Sequence, residues 1–135
     1  MTYGQQPGGP QNPNGPQYPG GHTPPQQMRP EDQRLWATLT HVGGIFFNFV
    51  APLVAYLVLR DRGNFIREHT RVALNFHITM GIAYVVGTFT SVLGIGFVIV
   101  LAAGVLSLIF SIMAAVAANQ GQFYRYPLSI EFIKQ

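Results

Sequence analysis

The chain has 135 residues, of which 48% are hydrophobic and only 10% are charged; eight are basic, five are acidic and none is cysteine. Ordinary soluble domains carry roughly 25% charged residues, so this chain has little charge with which to face water. The lack of cysteine excludes disulfides and thiolate chemistry, and eight scattered basic residues do not form the clustered stripe that nucleic acids require.

Residues 1–29 begin the chain with a segment rich in Pro, Gly, Gln and Asn that contains no apolar run. Such a segment buries too little apolar surface to offset its conformational entropy, so we predict a disordered tail. It also lacks the apolar core of a signal peptide. The tail could be a docking segment, but an inert tail is favoured, and residues 30–135 are predicted to form a helical membrane domain.

The first apolar segment spans residues 35–59, which hold no Asp, Glu, Lys or Arg. A proline and two acids at 30–32 predict a helix start just before it. The segment exceeds the roughly 20 residues that a membrane-spanning helix needs. Pro52 cannot donate to the carbonyl of Asn48, however. We therefore predict either one kinked span or a re-entrant pair, broken near Asn48–Pro52.

Residues 60–71 contain four arginines and a Gly-Asn turn signal, which predict a short loop and an interfacial helical turn. Residues 72–124 hold no charged side chain. As one helix they would extend about 80 Å, against a bilayer core of about 30 Å. They must fold back once, and SVLGIG at 91–96 is the predicted hinge between helices at 72–90 and 96–118. The predicted fold is thus an all-α integral membrane protein with three apolar helical segments, the last two forming a transmembrane hairpin.

The distribution of basic residues predicts the orientation, since Lys and Arg prefer the cytoplasmic side. The hinge has none, whereas residues 60–71 have four and the C-terminal segment has two. We predict a multi-pass cell-membrane protein whose 60–71 loop and C-terminus are cytoplasmic. The N-terminal tail lies outside if 35–59 crosses once and inside if this segment re-enters. Charge favours re-entry, because all basic residues then share one side.

Small residues at spacing four mark one face of the last helix: Ala103, Ser107, Ser111 and Ala115. Spans associate through such close-packing faces because lipid gives no hydrophobic drive between them. The face could form a seam within the chain or a homodimer interface. The seam is favoured, because a hairpin must first pack against itself.

Several polar side chains fall at or near membrane depth, where ionisable groups are functional candidates: His41, Asn48, Asn75 and His77. His77 could relay a proton. The favoured alternative is a neutral imidazole that hydrogen-bonds across helices, for example to Thr38 or Thr40, since no acid lies at its depth. The histidine spacings do not suit a metal site, so no metal and no cofactor are predicted.

Further candidates lie at the membrane edge. Glu68 precedes His69 and is predicted to pair with Arg71 at helical spacing three, or with Arg60 or Arg62 across the loop. This site could instead dock a partner or a headgroup. Tyr124 and Tyr126 follow the last span, where amphipathic rings favour the headgroup level. A hydrolase would need a buried acid beside its nucleophile and base, and none is present. We therefore predict no catalytic residue and no enzyme activity.

Two stretches carry a family resemblance: EHTRVALNFHIT at 68–79 and GQFYRYPLSIEFIK at 121–134. Together with residues 40–60 they resemble a widespread family of small bacterial membrane proteins with a domain of unknown function, distantly similar to the twenty-kilodalton subunit of the chloroplast inner-envelope protein import translocon. The resemblance covers residues 31–135 and implies a helical fold with several short spans, without implying a reaction. The matching positions are Glu68, His69, Ala73, Asn75 and Phe76, then Gly121, Phe123, Tyr124, Tyr126 and Pro127. The chain departs at His77, where relatives often carry Gln, which cannot titrate.

These features predict a non-enzymatic membrane-complex component. Its expected partners are the lipid bilayer and other membrane proteins or further copies of itself, with no nucleic acid and no small-molecule substrate. The alternative is a small channel or translocon-like pore subunit, which the resemblance and the broken first segment suggest. Its polar lining would come from His41, Asn48, Asn75 and Thr79.

Overall fold

A computed structural model describes residues 26–135, and these residues form four α-helices and no strand. The helices are α1 (Pro30–Phe47), α2 (Val50–Leu59), α3 (Asn64–Thr90) and α4 (Ile95–Asn119), with a short 3₁₀ turn at Ser91–Leu93. A C-terminal segment, residues 120–135, follows α4 without regular secondary structure. Most of the predicted N-terminal tail, residues 1–25, lies outside the described residues.

The first apolar segment is divided into two helices that fold back on each other. Asn48 has a φ of 51° and separates α1 from α2, within the predicted range for the break. Pro52 lies in the first turn of α2, where its missing N–H would have no helical partner in any case. The Met28 amide donates to the Arg62 carbonyl over 2.7 Å, so the start of α1 and the end of α2 lie at the same end of the bundle. The first apolar segment is therefore a broken pair of helices that returns to the end where it began, and not one kinked helix.

The second apolar region forms a hairpin at the predicted hinge. Gly94 has a φ of 79°, a conformation that L-residues rarely adopt, and it separates the 3₁₀ turn from α4. A Cβ atom on Gly96 would overlap the carbonyl oxygen of Gly87, so the two helices meet here backbone to backbone. Helix α3 starts at Asn64 rather than at the predicted residue 72. The helical turn predicted within residues 60–71 is continuous with the helix predicted at 72–90.

Helices α3 and α4 are each long and apolar enough to cross a membrane. At 1.5 Å per residue their 27 and 25 residues extend about 40 Å, more than a bilayer core. Only 22% of the most apolar 18-residue window of each helix is buried. Large apolar side chains such as Phe89 and Val92 point outward with 80% and 93% exposure. This pattern suits hydrocarbon surroundings and not the core of a soluble protein.

The inside of the bundle combines small and polar side chains with a few large apolar ones, such as Phe76 and Leu74. The predicted small-residue face of α4 is turned inward, with Ala103, Ser107, Ser111 and Ala115 all buried. Ala103 packs in one cluster with Ala73 and Phe76 of α3. The face is thus a seam within the chain, and it brings the helix backbones close enough for polar side chains to bond across them.

Candidate functional site

Three buried side chains from distant parts of the sequence meet between α1, α3 and the C-terminal segment. The Tyr126 hydroxyl lies 2.7 Å from His41 Nδ1, and His41 Nε2 lies 2.9 Å from His69 Nδ1. His69 Nε2 lies 2.8 Å from the carbonyl oxygen of Gln122. Both imidazoles are fully buried and Tyr126 is 5% exposed. We call Tyr126, His41, His69 and the Gln122 carbonyl the histidine–tyrosine network.

One acceptor fixes the direction of every hydrogen bond in this network. The Gln122 carbonyl can only accept, so His69 Nε2 carries a proton. In the neutral state that burial favours, His69 Nδ1 then accepts from His41 Nε2. His41 Nδ1 is left to accept from the Tyr126 hydroxyl. Burial raises the pKa of Tyr126 well above its ordinary value, so the phenol keeps the proton that it donates.

His77 lies beside this network and is bonded to a serine of the inward face of α4. The Ser111 hydroxyl lies 3.3 Å from His77 Nε2, and the centroid of the His77 ring lies 6.5 Å from that of Tyr126. The hydroxyl can donate to this nitrogen or accept from it. His77 is thus bonded across helices, as the favoured alternative predicted. Its partner is Ser111 and not Thr40, whose hydroxyl bonds to the Trp36 carbonyl within α1.

Aromatic rings seal the network from the outside. Phe123 stacks on His69 at 5.9 Å with an interplanar angle of 9°, and Phe65 lies 4.4 Å from the same imidazole. On the other side Phe76 stacks on Tyr126 at 4.0 Å. These rings replace water around the polar groups, which strengthens the hydrogen bonds between them.

The C-terminal segment is held against a polar face of α3. The Asn75 amide donates to the Ile133 carbonyl and accepts from the Ile133 N–H, each over 2.8 Å. Arg71 donates to the same carbonyl over 3.0 Å, and the Thr79 hydroxyl accepts from the Ile130 N–H over 3.0 Å. These side chains of α3 thereby form the hydrogen bonds that backbone groups of the C-terminal segment would otherwise make with a neighbouring strand.

Glu68 continues the same face of α3 toward the loop. It accepts from Arg71 over 2.6 Å, the predicted pair at spacing three, and the other predicted partners, Arg60 and Arg62, do not pair with it. Gln135 also donates to Glu68 over 3.1 Å. Arg71 is 3% exposed, so its charge is neutralised where it is buried. Glu68 thus helps to fix the C-terminal segment through Arg71.

The two stretches that carry the family resemblance therefore pack against each other, with His69 on Gln122, Phe76 on Tyr126 and Asn75 on Ile133. Residues 32–133 match the model of a family described as the magnetosome magnetite crystal formation protein family. The chain belongs to this family. Searches among the curated proteins and the solved structures found no match.

Membership of this magnetosome family confirms the predicted resemblance to a small bacterial membrane protein family over nearly all of the predicted range. The predicted similarity to the chloroplast translocon subunit has no support from the comparisons. Together with the two long apolar helices, membership identifies the chain as a membrane protein.

Two predicted candidates of this family member lie away from the histidine–tyrosine network. Asn48 stands at the break between α1 and α2, where its Oδ1 is buried without a hydrogen-bond partner among the described residues. The Tyr124 hydroxyl lies 4.0 Å from the Met113 sulfur and is half-exposed, near the ring of Tyr126. Neither converges with the buried histidines.

Sequence reasoning missed Gln33, the bond of Arg71 to the C-terminal segment and the bond of Ser111 to His77. The bond of Arg71 could have been found, because the polar residues at 68, 71, 75 and 79 follow helical spacing along one face. Gln33 is buried and accepts from the Ile66 N–H while it donates to the Met28 carbonyl. It thus satisfies one orphan amide at the start of α3, and nothing in the sequence around it signals that role.

Among residues 26–135, no three His, Cys, Asp or Glu side chains converge in a way that could hold a metal ion. His41 and His69 bond directly to each other through one nitrogen each, and their other nitrogens are bonded to Tyr126 and Gln122. The arrangement serves to hold α1, α3 and the C-terminal segment together.

Proposed function

We propose that the chain is a non-enzymatic component of a membrane complex that takes part in magnetite crystal formation. The family description supports the setting, and the outward apolar faces of α3 and α4 support a place in the bilayer. The proposed partners are other membrane proteins or further copies of this chain, bound through these faces and the basic end of the bundle.

The observation that carries a non-enzymatic role is the mutual satisfaction of the buried polar groups. Each ring nitrogen of His41 and His69 already has a partner, and Arg71 is occupied by Glu68 and Ile133. A catalytic base or acid must instead reach a substrate proton. These side chains are better suited to fixing a shape that partners recognise.

The alternative of a pore within one chain is less well supported. Its predicted lining residues do not share a surface, since His41 is sealed in the histidine–tyrosine network and Asn48 stands at the helix break. Asn75 and Thr79 are occupied by the C-terminal segment. A water-filled pathway needs polar groups that remain free to face water or ions.

We further propose that the chain crosses the membrane twice, through α3 and α4, with both ends of the described region in the cytoplasm. Arg62 donates to the Gln26 carbonyl, and the Arg34 guanidinium lies beside Gly121. The N-terminal start, the loop and the C-terminal segment therefore gather at one end with all eight basic residues. The hairpin turn at the other end has none, as the positive-inside rule expects.

Affinity purification from native membranes in a mild detergent tests the proposed function. The tagged full-length chain should retain a membrane-protein partner in a fixed ratio, quantified by mass spectrometry. An unrelated two-span protein with the same tag serves as the control for detergent-induced association. Repeated recovery of the chain as a bare monomer would contradict the proposal.

A further inference from the structure

A groove runs along the seam between α2 and α3. Its deeper part has a volume of about 620 Å³ and is lined almost entirely by apolar side chains. Leu53 contributes from α2 and Phe49 from the residue just before it, and Leu74, Ile78 and Ile82 contribute from α3. Because α2 has only 10 residues, it covers only the loop-proximal half of α3 and leaves this groove open to the bilayer.

The loop-proximal end of the same seam is a charged cavity of about 570 Å³. Four basic side chains line it, Arg60, Arg67, Arg71 and Lys134, against two acidic ones, Asp61 and Glu68. Tyr56 adds a hydroxyl, and its ring lies 5.6 Å from the Arg60 guanidinium carbon. The side chains leave a net positive charge where the two helices meet the membrane edge.

The carboxylates of the protein do not neutralise all of the positive charge in this cavity. Arg71 is neutralised by Glu68. Arg60 and Arg67 share one acid, Asp61, each at a long distance of 3.8 Å. The Arg67 Nε donates to the Arg60 carbonyl over 2.8 Å, which fixes its guanidinium at the cavity. Lys134 makes no ion pair among the described residues. Two arginines held near one carboxylate, beside a further cation, form a suitable site for a phosphate group.

The charged cavity and the apolar groove follow one another along the same two helix faces. On α2, Leu53 lines the groove and Tyr56 lines the cavity, one turn apart. On α3, Arg71 lines the cavity and Leu74 lines the groove, again one turn apart. From Arg71 to Val85 the α3 face rises about 21 Å, which is similar to the length of an extended phospholipid acyl tail.

We propose that this seam binds an anionic phospholipid. Arg60, Arg67 and Lys134 hold the headgroup phosphate, and one acyl tail lies along the apolar groove beside Gly81. A basic pocket between helices at the cytoplasmic face is a suitable setting for an anionic headgroup. A free phosphate ion would share the charged cavity but would gain nothing from the groove, so the groove favours the lipid as the source of the phosphate.

Native mass spectrometry of the full-length chain in detergent tests this proposal. The probes are phosphatidylglycerol, phosphatidylcholine and glycerol phosphate. The wild-type chain should retain phosphatidylglycerol in preference to the other two. The variant R60Q/R67Q should lose about thirtyfold in affinity for phosphatidylglycerol. The variant R29Q/R125Q removes the same charge from exposed arginines outside the cavity and should bind as the wild type does.

A second pair of variants tests the groove. A Cβ atom on Gly81 would meet only the Asn48 amide, at 3.7 Å, so G81L can place its side chain in the groove without a backbone clash. It should weaken phosphatidylglycerol binding and leave glycerol phosphate binding unchanged. A102L creates the same side chain at an exposed position of α4, with one added carbon fewer than G81L, and should have no effect.

Three results would overturn the proposal. The first is equal retention of phosphatidylglycerol and phosphatidylcholine by the wild-type chain. This measurement does not depend on whether any variant folds. The second is equal loss in R60Q/R67Q and R29Q/R125Q, which would indicate only diffuse attraction. The third is glycerol phosphate binding as tight as that of the lipid, which would indicate a free phosphate site. None of these results depends on whether the chain binds a protein partner.

Discussion

At the scale of single residues, the Gln122 carbonyl determines the protonation of its neighbours. Because that oxygen only accepts, His69, His41 and Tyr126 must each donate in the same sense along the network. A group removed from the middle would leave one unmatched donor on one side and one unmatched acceptor on the other. A group removed from the end would leave only one. The position of a residue in the network therefore sets the cost of losing it.

This asymmetry leads to a prediction for His41 and Tyr126. His41→Phe strands the Tyr126 hydroxyl and His69 Nδ1, and should reduce the free energy of unfolding by about 2–4 kcal/mol. Tyr126→Phe strands only His41 Nδ1 and should cost about 1–3 kcal/mol. The double variant should cost less than the sum of the two, with a coupling of about 0.5–3 kcal/mol. Denaturant unfolding in detergent, followed by circular dichroism, measures all three.

Thr38→Val is the control for these variants, because it removes an exposed hydroxyl that bonds only to the Arg34 carbonyl of its own helix. It should change stability by less than about 0.5 kcal/mol. Strict additivity of the His41 and Tyr126 effects would show that the two side chains do not act through their shared hydrogen bond.

At the scale of elements, the C-terminal segment depends on α3 for its conformation, because it lacks regular backbone pairing of its own. Asn75 is suited to this task, since its amide offers one donor and one acceptor to the two backbone groups of Ile133. Asn75→Leu removes both bonds, and Asn75→Asp removes only the donor. We expect amide exchange at Ile133 to be at least about tenfold faster in Asn75→Leu, with a smaller increase in Asn75→Asp.

Hydrogen exchange monitored by NMR or mass spectrometry gives this readout directly. Thr79→Val is the matched variant on the same face, because its hydroxyl bonds to Ile130 and not to Ile133. It should accelerate exchange at Ile130 more than at Ile133. Unchanged exchange at Ile133 in Asn75→Leu would mean that other contacts fix the segment.

The hairpin between α3 and α4 needs glycine where the two backbones approach closely. Substituting alanine at Gly96, which lies at this approach, and at Gly81, which does not, tests this requirement. Gly96→Ala places a methyl group against the Gly87 carbonyl and should destabilise the chain by about 1–3 kcal/mol. Gly81→Ala adds a methyl group that meets only the Asn48 amide, at an ordinary contact distance of 3.7 Å, and should stabilise the chain by up to about 1 kcal/mol. Thermal unfolding of the two variants should therefore shift in opposite directions. A shift of the same sign in both would contradict the close approach at the hinge.

Local sequence features predicted the elements better than their contacts. The hinge at 91–96 follows from the length of the uncharged region, which is too long for one membrane-spanning helix. The break near Asn48 follows from the missing N–H of Pro52. The Glu68–Arg71 pair likewise follows from helical spacing. The bond between His41 and His69 joins residues 28 positions apart, and that between His41 and Tyr126 joins residues 85 apart. These side chains come together only because α1 and α2 fold back on each other. The spacing of residue types along the sequence does not predict such contacts.

At the scale of the whole molecule, the bundle separates its charges from its apolar surface. The loop, the start of α1 and the C-terminal segment meet at one end, where the Met28 amide bonds to the Arg62 carbonyl. The hairpin turn at the other end exposes apolar side chains such as Val92. A molecule with one basic end and one uncharged end has a single favoured orientation in a bilayer. The folding back of α1 and α2 permits this, because it brings the start of α1 and the end of α2 to the same end of the bundle.

Cysteine accessibility tests this orientation with little perturbation, because the natural chain has no cysteine. Gln27→Cys, Val92→Cys and Lys134→Cys each place one thiol at an exposed position. In intact spheroplasts, a membrane-impermeant maleimide should label the cysteine at 92 and leave those at 27 and 134 unlabelled. After permeabilisation all three should react, which controls for buried or oxidised thiols. Labelling at both 27 and 92 before permeabilisation would mean that the α1–α2 pair crosses the bilayer once. The basic ends of the described region would then lie on opposite sides, which the bond between Met28 and Arg62 does not allow.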